Sequence, residues 1–137
     1  MTIDHTLGAA FLKAAEHEGL GVTFWSGLGR HQKFTYGELA TQAARVAGTL
    51  VSLGLQPGDR VGLVLPTGPD FYHGFFGAVL AGAVPCAMYP PVRLGRIDEW
   101  KERTAQMMRE ARVQIVLSDR RLLPLVSVPG QRAGVPH

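Results

Sequence analysis

The amino-acid sequence predicts an α/β fold in which the middle of the chain, at about 60–118, runs β-α-β-α-β around a mostly parallel sheet. Three observations predict it. VGLVL at 61–65 is a short unbroken apolar run, too short for a helix and too apolar for a strand with one wet face, and VQIVL at 113–117 is a run broken only by Gln114; both read as buried strands of a covered sheet. Between them lie segments with helical periodicity rather than hairpin turns, and a strand-helix-strand repeat within one sheet demands a right-handed crossover and parallel pairing. The strands also end in stiff punctuation, LPTGPD at 65–70 and MYPPVR at 88–93, where ligands of such sheets gather.

Taken in order, residues 5–18 carry Leu7, Ala10, Phe11 and Ala14 at helical spacing, closed by GLG at 19–21. VTFW and HQKFT flank SGLGR, which predicts a small β-hairpin forming a lid or side sheet. FTYGEL then spells a helix start: Thr35 as N-cap, Glu38 completing a capping box, and Phe34 with Leu39 as the hydrophobic staple. Leu39, Ala43, Val46, Ala47 and Leu50 form one apolar stripe, ended by Gly54. After the turn QPGDR and the first buried strand, Pro69 opens a helix that is apolar nearly all round and should be buried on most sides. Gly74 and Gly77 on it each lower helix propensity by about 1 kcal/mol, so close backbone approach is the expected compensation. AVPCAMY is the second strand, and Asp98–Ala111 an amphipathic helix with Trp100, Met107, Met108 and Ala111 on one face. After the third strand, Asp119 is placed to cap a short helix reaching about Val126. The closing SVPGQRAGVPH shows neither period, so residues 1–126 are expected to form the folded unit and 127–137 an unstructured tail. Three parallel strands also leave at least one sheet edge open unless other chain covers it.

Composition narrows the function. An apolar fraction of 46% over 137 residues supplies one core. The net charge of +3 comes from basic residues interleaved with Asp and Glu, without the clustered footprint of a nucleic-acid binder. One cysteine, Cys86, cannot form an internal disulfide and lies in an apolar run, which suits a reducing compartment. The first residues lack a basic n-region before an unbroken apolar core, and no stretch is long and apolar enough to span a membrane. The expectation is a soluble, cytoplasmic protein with no nucleic-acid partner.

The residues at the strand ends admit more than one reading. Tyr89, Pro90 and Pro91 form a rigid stop, since each proline fixes φ and extends the residue before it; they serve either as the rim of a ligand crevice or as a strand terminator with a packed tyrosine. Arg93 is a further rim candidate. Arg93 and Arg96 suit a phosphate or an acidic partner, or are simply solvated or paired with Asp98 or Glu102. Trp100, Met107 and Met108 read as core or as the lining of a lipid passage. The histidines at 5, 17, 31, 73 and 137 have no metal-ligand spacing, and His73 reads as a satisfied, at least half-buried imidazole. No catalytic residue, metal ligand or cofactor-binding residue is assigned.

The succession FTYGELATQAARVAGTLVSLGLQPGDRVGLVLPTGPDFYHGFFGAVLAGAVP resembles the opening of the adenylate-forming (AMP-binding) ligases. Within it, AGAVPCAMYPPVRLGRIDEW followed by IVLSDRRL resembles most the fatty acyl-AMP ligases, in which Tyr-Pro-Pro commonly stands at this place. The resemblance covers about residues 20–125 and implies the N-terminal portion of the large, three-layer domain of such a ligase. It implies an enzyme family that joins a carboxylate to ATP, releases pyrophosphate, and passes the acyl group from the adenylate to an acyl carrier protein. ATP and Mg²⁺ serve the full-length family, whose Ser/Thr/Gly-rich phosphate loop and lysine lie downstream of the matched region. No run of Ser, Thr and Gly precedes a lysine here, and GLGR at 27–30 is no phosphate cradle. The chain is therefore expected to be inactive alone and to bind neither ATP nor Mg²⁺ tightly. Two alternatives stay open: a non-catalytic module that binds a partner or self-associates through its open sheet edge, and a fragment of an acyl-CoA synthetase.

Overall fold

A computed structural model describes residues 6–92 and 94–137, Leu94 by its backbone only. Helix α1 (Leu7–Ala15) is followed by the antiparallel hairpin β1 (Gly21–Trp25) and β2 (His31–Thr35). Then come α2 (Tyr36–Ser52), β3 (Arg60–Val64), α3 (Pro69–Leu80), β4 (Val84–Met88), α4 (Ile97–Glu110), β5 (Val113–Ser118) and α5 (Leu123–Ala133). The three predicted strands lie in one sheet of order β4-β3-β5, with β3 parallel to both neighbours. The hairpin is a separate two-stranded side sheet.

Because β3 is central, side chains on both its faces are covered. Val61 and Leu63 point to one face and pack with Leu50, Ala78 and Ile115, under α2 and α3. Val64 points to the other and packs with Met88, Met108, Val113 and Val126, under α4 and α5. A third cluster of Phe11, Leu39 and Ala43 joins α1 and the hairpin to the outer side of α2 and α3. Each large aliphatic side chain withdrawn in this way contributes about 1.5–3 kcal/mol.

The start of α2 forms as its sequence dictates. The Thr35 hydroxyl accepts from the Glu38 amide at 3.1 Å, and the Glu38 carboxylate accepts from the Thr35 amide at 2.8 Å. The predicted close approach is at Gly77, where a Cβ would lie 2.6 Å from Val46 Cγ1 and 3.1 Å from the Ala43 carbonyl oxygen, both on α2. A Cβ on Gly74 would meet Leu63 and Leu117 at 3.3 Å, so α3 is seated against both the sheet and α2.

The C-terminal segment departs from expectation. Residues 127–137 are not an unstructured tail: α5 runs through Ala133, with Val126 and Pro129 buried. Leu122, Val126, Pro129 and Ala133 recur at i, i+4, i+7 and i+11 and face the cluster around Met108. A proline inside a helix costs about 3 kcal/mol, and full burial of its ring offsets that cost. Gly134 closes the helix at φ 72°, the left-handed conformation that suits glycine. Beyond it the Val116 amide donates to the His137 carbonyl at 2.9 Å, placing the last residue against the edge of β5. The Asp119 carboxylate accepts from the Arg121 and Leu122 amides at 2.8 Å, capping the turn that precedes α5. The opposite edge, β4, is open as expected, with Val84 and Ala87 exposed.

Candidate functional site

Parallel pairing of β3 with β4 brings their carboxyl ends side by side, Val64 opposite Met88. Past those ends the two segments are no longer paired: Leu65, Pro66 and Thr67 lead into α3, and Tyr89, Pro90 and Pro91 lead away from β4. Between these segments lies a cleft of about 640 Å³, to which Leu65, Thr67, Tyr72, Met88, Tyr89 and Pro90 contribute. Every described residue lining it is uncharged, and their polar side-chain groups are the hydroxyls of Thr67, Tyr72 and Tyr89. The Ser118 hydroxyl at the end of β5 donates to the Val64 carbonyl at 3.0 Å, fixing the third strand end beside it.

Tyr89 and Pro90 also border a second cleft of about 400 Å³ against α4, with Val92, Trp100, Thr104 and Met107. Pairing with β3 ends at Met88, so the Tyr89 carbonyl has no strand partner; it accepts instead from the Trp100 indole Nε1 at 2.8 Å. This bond ties the rigid strand end to α4. The Tyr89 ring itself is 81% exposed, so the packed tyrosine of the terminator reading is not found.

The remaining candidates divide. Arg93 lies outside the described residues. Arg96 does not pair with Asp98 or Glu102 but lies 3.7 Å from Glu99, which also holds Arg103 at 3.0 Å; i,i+3 and i,i+4 spacing on α4 makes these the near partners. Met108 is core, Trp100 is half-buried, and Met107 reaches the second cleft. Cys86 is half-buried against the α4 face of the sheet; burial pushes its thiol up from the usual value, an effect that Arg60 partly offsets. His73 is not the satisfied imidazole expected: Nδ1 lies 3.7 Å from Asp70, while the buried Nε2 has no hydrogen-bond partner. The Thr104 hydroxyl is likewise buried without one.

At the other end of the sheet sits a group that periodicity did not reveal. Arg60, opening β3, donates from Nε to the Ala111 carbonyl at 2.9 Å, from one terminal nitrogen to Arg112 at 2.9 Å, and from the other to Gly58 at 3.1 Å. These carbonyls come from loops some fifty residues apart in sequence, so no local pattern marks the residue.

The larger cleft does not fit a triphosphate, whereas the smaller has Arg96, Glu99 and Arg103 in its lining. Among the described residues the larger has no cation and no glycine-rich cradle in its lining, and no group of three His, Cys, Asp or Glu is placed to hold a metal ion. The larger cleft has the chemistry of a site for an apolar body with a few hydrogen-bonding positions.

Comparison with known proteins accords with this geometry. The family model described as AMP-binding enzyme matches residues 11–134. Pyochelin synthetase PchE of Pseudomonas aeruginosa is 41% identical over 92 residues, covering 65% of this chain and 6% of that protein. A putative acyl-CoA synthetase of Caulobacter vibrioides is 32% identical over 100 residues, 73% of this chain and 18% of that protein. Among solved structures, one from structural and functional studies of fatty acyl-adenylate ligases from E. coli and L. pneumophila superposes with a TM-score of 0.86 at 28% identity. That match covers 92% of this chain and 23% of the other. The chain thus spans less than a quarter of the length of these relatives.

Proposed function

Because the chain belongs to the AMP-binding enzyme family, whose members use ATP, we propose that it is the N-terminal segment of the large domain of a fatty acid–AMP ligase. In that reading the whole enzyme joins a fatty acid to AMP with release of pyrophosphate and hands the acyl group to the thiol of an acyl carrier protein. The observation that carries it is the cleft at the carboxyl ends of β3 and β4, uncharged among the described residues and rimmed by Tyr89 and Pro90. An apolar cleft of this size suits the acyl body of the acid, while the charge developing at the α-phosphate needs cations, and none is among the described residues of the lining. This segment therefore supplies the acid's side of the site, and ATP and Mg²⁺ are held by parts of the relatives that these 137 residues do not span.

Tyr89, Pro90 and Pro91 have the role of a stiff wall in this reading. Two prolines fix its direction, the Trp100 bond holds its position, and the exposed Tyr89 ring is free to meet the acyl group or the incoming thiol. The likeness to fatty acyl-adenylate ligases at 28% identity supports the acyl class. A second reading, a segment of an acyl-CoA synthetase, is supported by the 32% identity to the putative enzyme of Caulobacter; the two differ in the thiol acceptor. The purified chain is expected to show no fatty-acid-dependent exchange of pyrophosphate into ATP, and exchange above the level of a heat-denatured control contradicts this division of the site.

A further inference from the structure

The hairpin presents an outer face that neither of the clefts described above uses, and its Trp25, Arg30 and His31 border a third hollow of about 670 Å³ with Thr67, Gly68 and Pro69. Its antiparallel register sets Trp25 opposite His31 and Thr23 opposite Lys33, so these side chains share one face. The alternate residues turn inward, Phe24 meeting Tyr72 at 5.1 Å and Phe34 meeting His73 at 6.4 Å between ring centres. On the outer face the Trp25 ring lies 4.9 Å from that of His31 and is 71% exposed. At the tip, Leu28 is 96% exposed and has φ 71°. That left-handed conformation is disfavoured by a Cβ and is the province of Gly, Asn and Asp. A leucine held there gains nothing from burial and works against its own backbone, so fold stability does not account for it.

Within the hairpin itself the charge has one sign, the Glu38 carboxylate being bound at its base to the Thr35 amide. Between Glu18 and Glu38 the sequence holds Arg30, His31 and Lys33 and no carboxylate, and Asp70 sits on the inner side, facing His73. We propose that the β1–β2 hairpin is a docking element for an anionic lipid surface. Leu28 and Trp25 enter the boundary between headgroups and acyl chains, and Arg30 and Lys33 lie against the lipid phosphates. Tryptophan favours that boundary, and an apolar tip flanked by basic residues is the pattern of proteins that lie on a bilayer. A nucleic acid would reward the arginine, lysine and tryptophan but leave Leu28 in water, which favours the lipid. None of these observations draws on the adenylation reading.

The test is co-sedimentation of the full chain with vesicles of phosphatidylcholine alone and of phosphatidylcholine with phosphatidylglycerol. Binding to the mixed vesicles is expected, weakening as salt is raised, together with a blue shift of tryptophan emission that Trp25→Phe removes. Leu28→Asn suits the left-handed backbone, so it leaves thermal stability unchanged or raised while lowering vesicle partitioning at least roughly tenfold, since it removes the inserted apolar group. Lys33→Gln lowers it about fivefold, the contribution of one basic residue near such a surface. A wild-type chain that stays in the supernatant overturns the proposal, as does Leu28→Asn binding like wild type. Binding of a single-stranded oligonucleotide in place of the mixed vesicles overturns it in favour of a polyanion site.

Discussion

The two ends of the parallel sheet are built on opposite plans. At the amino end, Arg60 gathers three backbone carbonyls, the Val84 amide donates to the Asp59 carbonyl at 2.8 Å, and the Gly58 amide donates to Gly82 at 2.9 Å. Loops there are tied to one another across long sequence separations. At the carboxyl end β3 and β4 stop in prolines, a tyrosine points into solvent, and two clefts open beside the rim. The contrast teaches which end holds the fold together and which is left to meet a ligand: backbone groups at the amino end find partners within the domain, while the carboxyl end retains apolar walls and a few hydroxyls.

Substitutions at the two ends should therefore differ in effect. Arg60→Ala leaves three carbonyls without their shared donor and should cost about 2–3 kcal/mol, as hydrogen bonds from a charged group do, read as a lowered urea midpoint; a change under about 0.5 kcal/mol would erase the contrast. Trp100→Phe keeps most of the packing and removes the bond to the Tyr89 carbonyl, with an expected loss of about 1 kcal/mol. Amide exchange near Tyr89 should accelerate in that variant while exchange near Arg60 stays as it was. Tyr89→Ala removes a ring that packs little and should fall within about 0.5 kcal/mol of the parent; a larger loss would make Tyr89 a structural residue. The smallest effect concerns Cys86 on the open edge strand. Burial raises its thiol pKa, so at pH 8 its thiolate fraction, and hence its alkylation rate, should lie below that of a free cysteine and climb as pH rises. Alkylation at the rate of free cysteine would show that β4 opens readily.

Much of this arrangement is legible in the sequence because it is local. The buried runs at 61–65 and 113–117, the capping box at Thr35 and Glu38, and the paired glycines of α3 each declare themselves within a few residues, and parallel pairing then forces LPTGPD and MYPPVR together. The hidden features depend on distance or on conflicting signals. The Arg60 clamp and the Trp100 bond join residues whose spacing carries no period. In α5 the apolar stripe is present in the sequence, but Pro129 and Gly130 argue locally for a loop, and only burial outweighs them. Arg96 is largely solvated, as one reading allowed, and the carboxylate near it is Glu99 rather than Asp98 or Glu102, because Glu99 stands three residues on.

The most direct test of the division between the two ends is a titration of the isotopically labelled chain with decanoate, followed amide by amide in nuclear magnetic resonance spectra. Shifts are expected at Thr67, Tyr72, Ala87 and Tyr89, with Gly58, Asp59, Arg60 and Val84 unmoved. Shifts concentrated at the amino end, or none anywhere in a folded spectrum, would contradict that division.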